Sequence, residues 1–130
     1  MRNEPRWLPL EEIVEVNRDL VALTGEPFFV RDRGLLESAC AKPRNRWGYG
    51  EDDIVALAVA LLFGIARNHP FGQGNKRTGF TAAVMFLRIN GYDLTAADSQ
   101  ELGKSVEDII NNIVSEERFT EMLRPFVVPI

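Results

Sequence analysis

The chain has 130 residues, 45% of them hydrophobic, which is enough to bury a core without disulfides or structural metals. Fifteen Lys and Arg against 19 Asp and Glu give a formal net charge of -4, which argues against a broad basic surface for nucleic acid. No apolar stretch is long enough to span a bilayer, and the N-terminus lacks a signal-peptide core. We therefore expect one cytoplasmic domain over residues 1–130, with no membrane or direct nucleic-acid partner.

The first predicted helix begins near Pro9, has Glu11 and Glu12 in its first turn, and ends at Thr24-Gly25. Its apolar side chains fall on one side of the helix and are Leu10, Ile13, Val14, Leu20 and Val21. The run Phe28-Phe29-Val30 is too short to distinguish a strand from an apolar anchor.

A second, short helix is predicted from Leu35 to Ala41, because Pro43 disfavours helical backbone in the residue before it. The following residues 44–50 contain two glycines and are predicted to form a loop. Loops often contact ligands, so four of its side chains are candidates for substrate or partner contact, with local packing as the alternative. They are Arg44, Arg46, Trp47 and Tyr49.

Cys40 is the only cysteine, so an internal disulfide is impossible. Because its neighbours Leu36, Ala39 and Ala41 are apolar, we expect a small packed side chain rather than a nucleophile.

The middle of the chain predicts two buried helices. Asp52 or Asp53 can cap a helix over residues 54–66 that is apolar on every side, as expected for the centre of a bundle. A second apolar helix covers residues 80–89 and ends at Asn90-Gly91, a left-handed stop signal. The turn between these helices is therefore attached to rigid elements.

The C-terminal third predicts two more helices. Asp98 and Glu101 resemble a capping box for a fifth helix, and Ser115 to Leu123 forms a sixth that stops before Pro125. The fifth helix carries an apolar stripe of Leu102, Val106, Ile109, Ile110 and Ile113. The apolar tail over residues 125–130 either packs back on the domain or meets a partner. The expected fold is an all-α bundle of about six helices, with two buried central helices flanking the turn.

That turn, residues 69–77, has the composition of a phosphate site. Gly72 and Gly74 permit positive φ and close approach of a ligand, and successive N–H groups at the start of the next helix form an anion-binding nest. Lys76 and Arg77 add positive charge at a helix end where cations are unfavourable without an anion. His69 is suited to accept a proton from a hydroxyl.

The turn has two other interpretations. A lone histidine and a Gly-Asn turn are also common in plain helix connections, although four residue types converge here. A Walker-type loop is a poor alternative, because Asn75-Lys76-Arg77 lacks the Gly-Lys-Ser/Thr ending and no strand precedes the turn.

The stretch His69-Pro70-Phe71-Gly72-Gln73-Gly74-Asn75-Lys76-Arg77 resembles the Fic/Doc superfamily signature, His-x-Phe-x-Asp/Glu-Gly-Asn-x-Arg, and Lys76 resembles the Doc branch of toxin-antitoxin toxins. Three further stretches also look like Doc-type toxins, so the resemblance covers nearly the whole chain and is weakest at its ends. They are Arg33–Ala39, Gly64–His69 and Phe86–Tyr92.

The resemblance implies a role for each matching residue. His69 would be the general base that deprotonates a threonine or serine of a protein target, and Phe71 would turn inward to anchor the loop. Gly74 and Asn75 would offer N–H and amide donors to phosphate, together with Gly72, and Arg77 would pair with a terminal phosphate.

Lys76 implies an inverted nucleotide whose γ-phosphate faces the base, with ATP as co-substrate. The implied activity is protein phosphorylation, with elongation factor Tu as the family's best-known substrate and arrested translation as the consequence. The implied partner is a cognate antitoxin that binds through a C-terminal helical segment.

Gln73 departs from the family pattern, because it stands where an Asp or Glu holds Mg²⁺ against the nucleotide. A neutral amide oxygen is a weaker ligand for this ion than a carboxylate. One alternative is a Fic-like AMP transferase, although Lys76 and the Phe80 found where Fic proteins have a second arginine argue against it. The other is a non-enzymatic module that binds an antitoxin-like segment and has lost its chemistry at Gln73.

Overall fold

Two apolar helices joined by the motif turn form the centre of the molecule. The computed structural model describes residues 2–95, 104, 107, 111 and 114–130. The elements in chain order are α1 (Leu10–Thr24), α2 (Arg33–Gly48), α3 (Ile54–Asn68), α4 (Asn75–Ile89), β1 (Tyr92–Leu94), α5 (Glu116–Leu123), a 3₁₀ turn (Arg124–Phe126) and β2 (Val127–Pro129). The predicted, mainly helical fold is confirmed.

Helix α3 is the core of the bundle, because every residue from Leu57 to Ala66 is buried. It packs most extensively on α4 and α2, with α5 on a further side. Gly79 lets α4 approach α3 closely, since a Cβ atom there would lie 2.8 Å from the Leu62 carbonyl oxygen. This close pairing fixes the two ends of the turn that connects them.

The predicted helix boundaries hold where a capping residue defines them. Asp53 accepts a hydrogen bond from the Val55 N–H group at 3.0 Å and begins α3. Ser115 accepts one from the Arg118 N–H group and begins α5. Gly25 ends α1 with a φ of 73°, as the Thr24-Gly25 stop predicted.

The prediction for the second helix is wrong, because α2 passes through the buried Pro43 and continues to Gly48. Proline in a helix removes one hydrogen bond, but tertiary contacts hold the last turns in place. The Trp47 ring packs edge-to-face on Trp7 with their centroids 6.3 Å apart, and Arg46 forms an ion pair with Glu116. Most of the predicted loop over residues 44–50 is therefore helix.

The C-terminal tail packs back on the domain, which settles the choice left open by the sequence. Strand β2 pairs antiparallel with β1, with Asp93 opposite Val128. Val30, in the short apolar run that the sequence left unassigned, forms an isolated bridge with Phe71. The fifth predicted helix, with Asp98, Glu101 and its apolar stripe, lies outside the described residues, and no helix within them is long and apolar enough to cross a membrane.

Candidate functional site

The turn between α3 and α4 forms one wall of an open cavity of about 330 Å³. All seven predicted motif positions line it, so the structure brings the proposed base and the proposed phosphate ligands together. The lining residues are Glu26, His69, Gly72, Gln73, Gly74, Asn75, Lys76, Arg77 and Glu107.

His69 ends α3 in a left-handed conformation with a φ of 49°, the only positive φ of a non-glycine residue in the described part of the chain. Arg31 secures this backbone, because its Nε donates to the His69 carbonyl at 2.7 Å and its Nη2 donates to the Asn68 carbonyl at 3.0 Å. These bonds satisfy carbonyls that a helix end leaves free. The His69 side chain is exposed at the cavity.

A short extended segment after α1 supports the turn from outside. The Gly72 N–H group donates to the Phe29 carbonyl at 3.0 Å, and the Arg31 and Asp32 N–H groups donate to the Pro70 carbonyl at 2.7 and 3.1 Å. Phe71 is completely buried, which confirms the prediction that it anchors the turn in the core. Arg31 was not singled out from the sequence, since nothing local links it to a histidine 38 positions later.

The two glycines of the turn have different functions in the structure. Gly74 adopts a φ of 71°, as predicted, and precedes the first residue of α4. The expectation of a positive φ at Gly72 is wrong. The Phe29 ring covers Gly72, so that a Cβ atom would lie 2.2 Å from ring carbons and this half-exposed ring would have to move to admit one.

The Asn75 side chain closes the turn. Its Oδ1 accepts from the Phe71 N–H group and its Nδ2 donates to the Phe71 carbonyl, both at 2.9 Å. The amide that was expected to face phosphate therefore has a partner in the turn itself. The main-chain N–H group of Asn75 is the donor that remains for a ligand.

The start of α4 presents a row of unpaired N–H groups. The first helical bond is from the Thr78 N–H group to the Gly74 carbonyl at 2.9 Å. Among the described residues, the N–H groups of Gly74, Asn75, Lys76 and Arg77 have no acceptor. A helix N-terminus of this kind carries partial positive charge and attracts anions.

The charged side chains of the cavity are already partly paired. Arg77 Nη2 donates to Glu26 Oε1 at 3.0 Å, and the Lys76 ammonium group contacts Asn111 Oδ1. Hydrogen bonds from the Thr24 hydroxyl and from Arg77 lower the pKa of the Glu26 carboxyl below its usual value. Glu26 follows the glycine that ends α1, and no sequence signal connects it to Arg77.

The oxygen donors of the cavity suit a hard divalent cation that is also bound by phosphate. No group of three or more His, Cys, Asp or Glu side chains suited to a metal occurs in the described ranges. The cavity does offer the Gln73 amide and the Glu26 and Glu107 carboxylates. Mg²⁺ commonly takes one or two carboxylates and completes its shell with phosphate oxygens and water, so this donor set fits it.

The four contact candidates at the end of α2 and directly after it do not line this cavity. Arg44 borders a separate apolar groove next to Trp7, Arg46 pairs with Glu116, and the Trp47 ring lies against the Arg2 guanidinium. Tyr49 is 94% exposed. Their contact with a substrate or partner stays a prediction, and it concerns a different surface from the turn.

The fold and the turn identify a class of protein. The model of the Fic/DOC family matches residues 7–87, from the segment before α1 to the end of α4, and the chain belongs to this family. Toxin Doc of Mycolicibacterium smegmatis is 41% identical over 100 residues, which are 75% of this chain and 73% of that protein. Protein kinase doc of Escherichia phage P1 is 28% identical over 120 residues, 92% of this chain and 94% of that protein. The likeness to Doc-type toxins inferred from the motif is confirmed.

Proposed function

We propose that this chain is the toxin of a toxin-antitoxin system and transfers the γ-phosphate of ATP to a Ser or Thr hydroxyl of a protein. One observation carries the proposal: the unpaired N–H groups at the start of α4, Lys76, Arg77 and His69 line the same cavity. The names of the two relatives, a toxin and a protein kinase, support the same conclusion.

The phosphate groups would bind where fixed donors already point. Phosphoryl transfer depends mainly on positioning and on stabilising charge, so backbone N–H groups held by a buried helix are suitable ligands. Arg77 would form a forked pair with a terminal phosphate, in competition with Glu26 for its guanidinium group. Lys76 would add a second positive charge on the same side of the cavity.

His69 would act as the base. Its imidazole accepts the proton of the substrate hydroxyl while the hydroxyl oxygen forms a bond to the γ-phosphorus. The bond between that phosphorus and the β,γ-bridging oxygen breaks, and ADP leaves. Hydrogen bonds from the Arg31 side chain to the carbonyls of Asn68 and His69 hold the histidine at the end of α3, while the imidazole remains accessible.

Mg²⁺ would supply charge neutralisation to the triphosphate when it is bound. Gln73 would contribute its amide oxygen, and Glu26 and Glu107 are the carboxylates within the cavity lining. Glu26 has an oxygen available for the ion, because both donors that it accepts from use Oε1 and leave Oε2 unpaired among the described residues.

Labelled ATP tests the proposal. Purified protein is incubated with bacterial lysate and ATP labelled at either the α or the γ phosphate, with the His69→Ala variant as control. We expect protein-bound label only from the γ position, and none from the variant. Label only from the α position would replace the proposal with AMP transfer.

Gln73 supplies the test of the non-enzymatic alternative. If the chemistry has lapsed at this position, expression of the native chain leaves growth unchanged and the Gln73→Asp variant arrests it. We expect instead that the native chain arrests growth and that His69→Ala abolishes the arrest.

The partner and the substrate follow from the same proposal. We propose a cognate antitoxin that binds through a C-terminal helical segment, and a target in the translation machinery such as elongation factor Tu. Co-expression with the product of the neighbouring gene, with and without its C-terminal segment, tests the first. Incubation of purified elongation factor Tu with γ-labelled ATP tests the second.

A further inference from the structure

Asn17 is a polar side chain in an apolar environment. It lies on the face of α1 that also buries Ile13, Val14 and Val21, and it is only 1% exposed. Among the described residues, Thr78 and Thr120 are the other buried polar side chains. A buried amide is costly unless its hydrogen-bonding groups are satisfied, so its presence calls for a reason.

Its hydrogen bonds supply that reason. Asn17 Nδ2 donates to the Gln73 carbonyl at 2.8 Å and to Thr78 Oγ1 at 3.0 Å, so that α1 is tied to the turn and to the first turn of α4. The Asn17 Oδ1 atom is buried without a partner in the described part of the chain. Because the Oδ1 atom makes no hydrogen bond, the two bonds that Nδ2 donates are what the Asn17 side chain contributes to the structure.

The bond to Gln73 fixes the orientation of one peptide group in the cavity wall. In a trans peptide the carbonyl and the following N–H group point in opposite directions. Asn17 holds the Gln73 carbonyl toward the buried side, so the Gly74 N–H group points away from it, and it has no acceptor among the described residues. Both residues of this peptide line the cavity.

Glycine makes this restraint necessary. Gly74 adopts a φ of 71° without strain, but a glycine can also adopt the mirror conformation, so the peptide before it can rotate easily. Rotation would turn the Gln73 carbonyl oxygen toward a bound phosphate, where two negatively polarised groups repel each other. A donor on α1 prevents this.

We infer that Asn17 is a positioning residue, which orients the Gln73–Gly74 peptide so that its N–H group is available to a phosphate oxygen. The inference rests on the proposed function, because it concerns the triphosphate site of the proposed reaction. It assigns a role to a side chain that lies outside the motif and does not line the cavity.

The test compares a variant that removes both bonds with a variant that removes only the bond to Thr78. Asn17→Leu keeps the approximate size and removes both donors, whereas Thr78→Val removes only the second acceptor and leaves the bond to Gln73. We expect Asn17→Leu to weaken the binding of ATP and of inorganic triphosphate about tenfold in calorimetry, and Thr78→Val to stay within about twofold of the native chain.

Amide NMR separates positioning from loss of stability. In the native chain and in Thr78→Val, the Gly74 amide signal should be single and should shift when triphosphate is added. In Asn17→Leu it should broaden or double before any ligand is added, while the Gly72 amide, which bonds to the Phe29 carbonyl, stays unchanged. If Asn17→Leu does not fold, Asn17→Ala removes the same donors with less added bulk.

Native affinity and an unchanged Gly74 signal in the Asn17 variant would overturn the inference. Equal weakening by both variants would also overturn it, because Thr78→Val preserves the hydrogen bond from Asn17 to the Gln73 carbonyl. If the native chain itself binds no triphosphate, the proposed function fails instead, and the ligand-free Gly74 signal still decides whether Asn17 orients the peptide.

Discussion

Arg77 on the first turn of α4 donates to Glu26 Oε1 at 3.0 Å, and so joins the turn between α3 and α4 to the segment that follows α1. Both side chains are about one-third exposed, 39% and 31%, so the ion pair is accessible to an incoming anion. A phosphate that binds Arg77 competes with this carboxylate for the guanidinium group.

Removal of that carboxylate should strengthen the binding of triphosphate in the absence of Mg²⁺. We expect Glu26→Gln to tighten it by about twofold to fivefold at low salt, with a smaller gain at high salt, because exposed ion pairs contribute up to about 1 kcal/mol and are screened. Calorimetry at two salt concentrations measures the change. Glu12→Gln, which removes the same charge from an exposed position of α1, should leave the affinity unchanged.

The same pair predicts how binding depends on pH. Hydrogen bonds from Thr24 and Arg77 lower the pKa of Glu26. The carboxylate is therefore charged at every pH above the ordinary pKa of a glutamate, and it is neutralised only when the pH falls through the lowered pKa. The difference in affinity between the native chain and Glu26→Gln should thus be constant from about pH 6 to pH 9. A difference that disappears within this range would contradict the lowered pKa of Glu26, and no difference at any pH would mean that Glu26 does not compete for Arg77.

The Asn75 side chain should matter for stability as well as for binding. Asn75→Ala removes both bonds to Phe71, and we expect a loss of about 2 kcal/mol in the free energy of unfolding, since each bond contributes about 1 kcal/mol. Denaturant unfolding measures it. Asn45→Ala, at an exposed position of α2, is the control and should change stability by less than about 0.5 kcal/mol.

Gly72 and Phe29 should behave as a coupled pair. A Cβ atom at position 72 would overlap the Phe29 ring, so Gly72→Ala should destabilise the protein by roughly 1 to 3 kcal/mol. Phe29→Ala in the same chain should recover most of this loss, and a double-mutant cycle measures the coupling. Additive effects of the two substitutions would mean that the ring does not restrict this position.

Cys40 should be an unreactive thiol. Burial raises its pKa to about 11, so the thiolate that reacts with iodoacetamide is scarce at neutral pH. At about pH 8 we expect alkylation on the order of a hundredfold slower than in the unfolded chain, rising about tenfold for each pH unit up to about pH 10. The exposed thiol of a Ser38→Cys variant is the comparison, and equally fast labelling of both thiols would contradict the prediction.

The sequence predicts those parts of the fold that local signals determine. Asp53, Gly25 and Ser115 define helix ends through their own side chains or backbone, and the all-apolar α3 could only be central. Pro43 is a local signal that tertiary contacts override, because Trp47 and Arg46 hold the helix beyond it. Helix α4 begins at Asn75, directly after the left-handed Gly74, so that Lys76 and Arg77 lie in its first turn, as the composition of the turn predicted.

The site divides in the same way. His69 and the residues from Gly72 to Arg77 are adjacent in sequence, so a motif could indicate them. Asn17, Glu26 and Arg31 reach the turn only through folding, across separations of 56, 51 and 38 positions. Neither spacing nor composition connects such distant residues.

The continuity of α3, the turn and α4 also affects how the protein folds. Residues 54–89 carry the proposed base, the unpaired N–H groups and both cations in one uninterrupted stretch, and α3 makes its most extensive contacts with α4. Contacts of low sequence separation form quickly, because little chain entropy is lost when they close. Because α1 precedes α3 and α4 in the chain, Asn17 and Glu26 are synthesised before the helical hairpin that they contact.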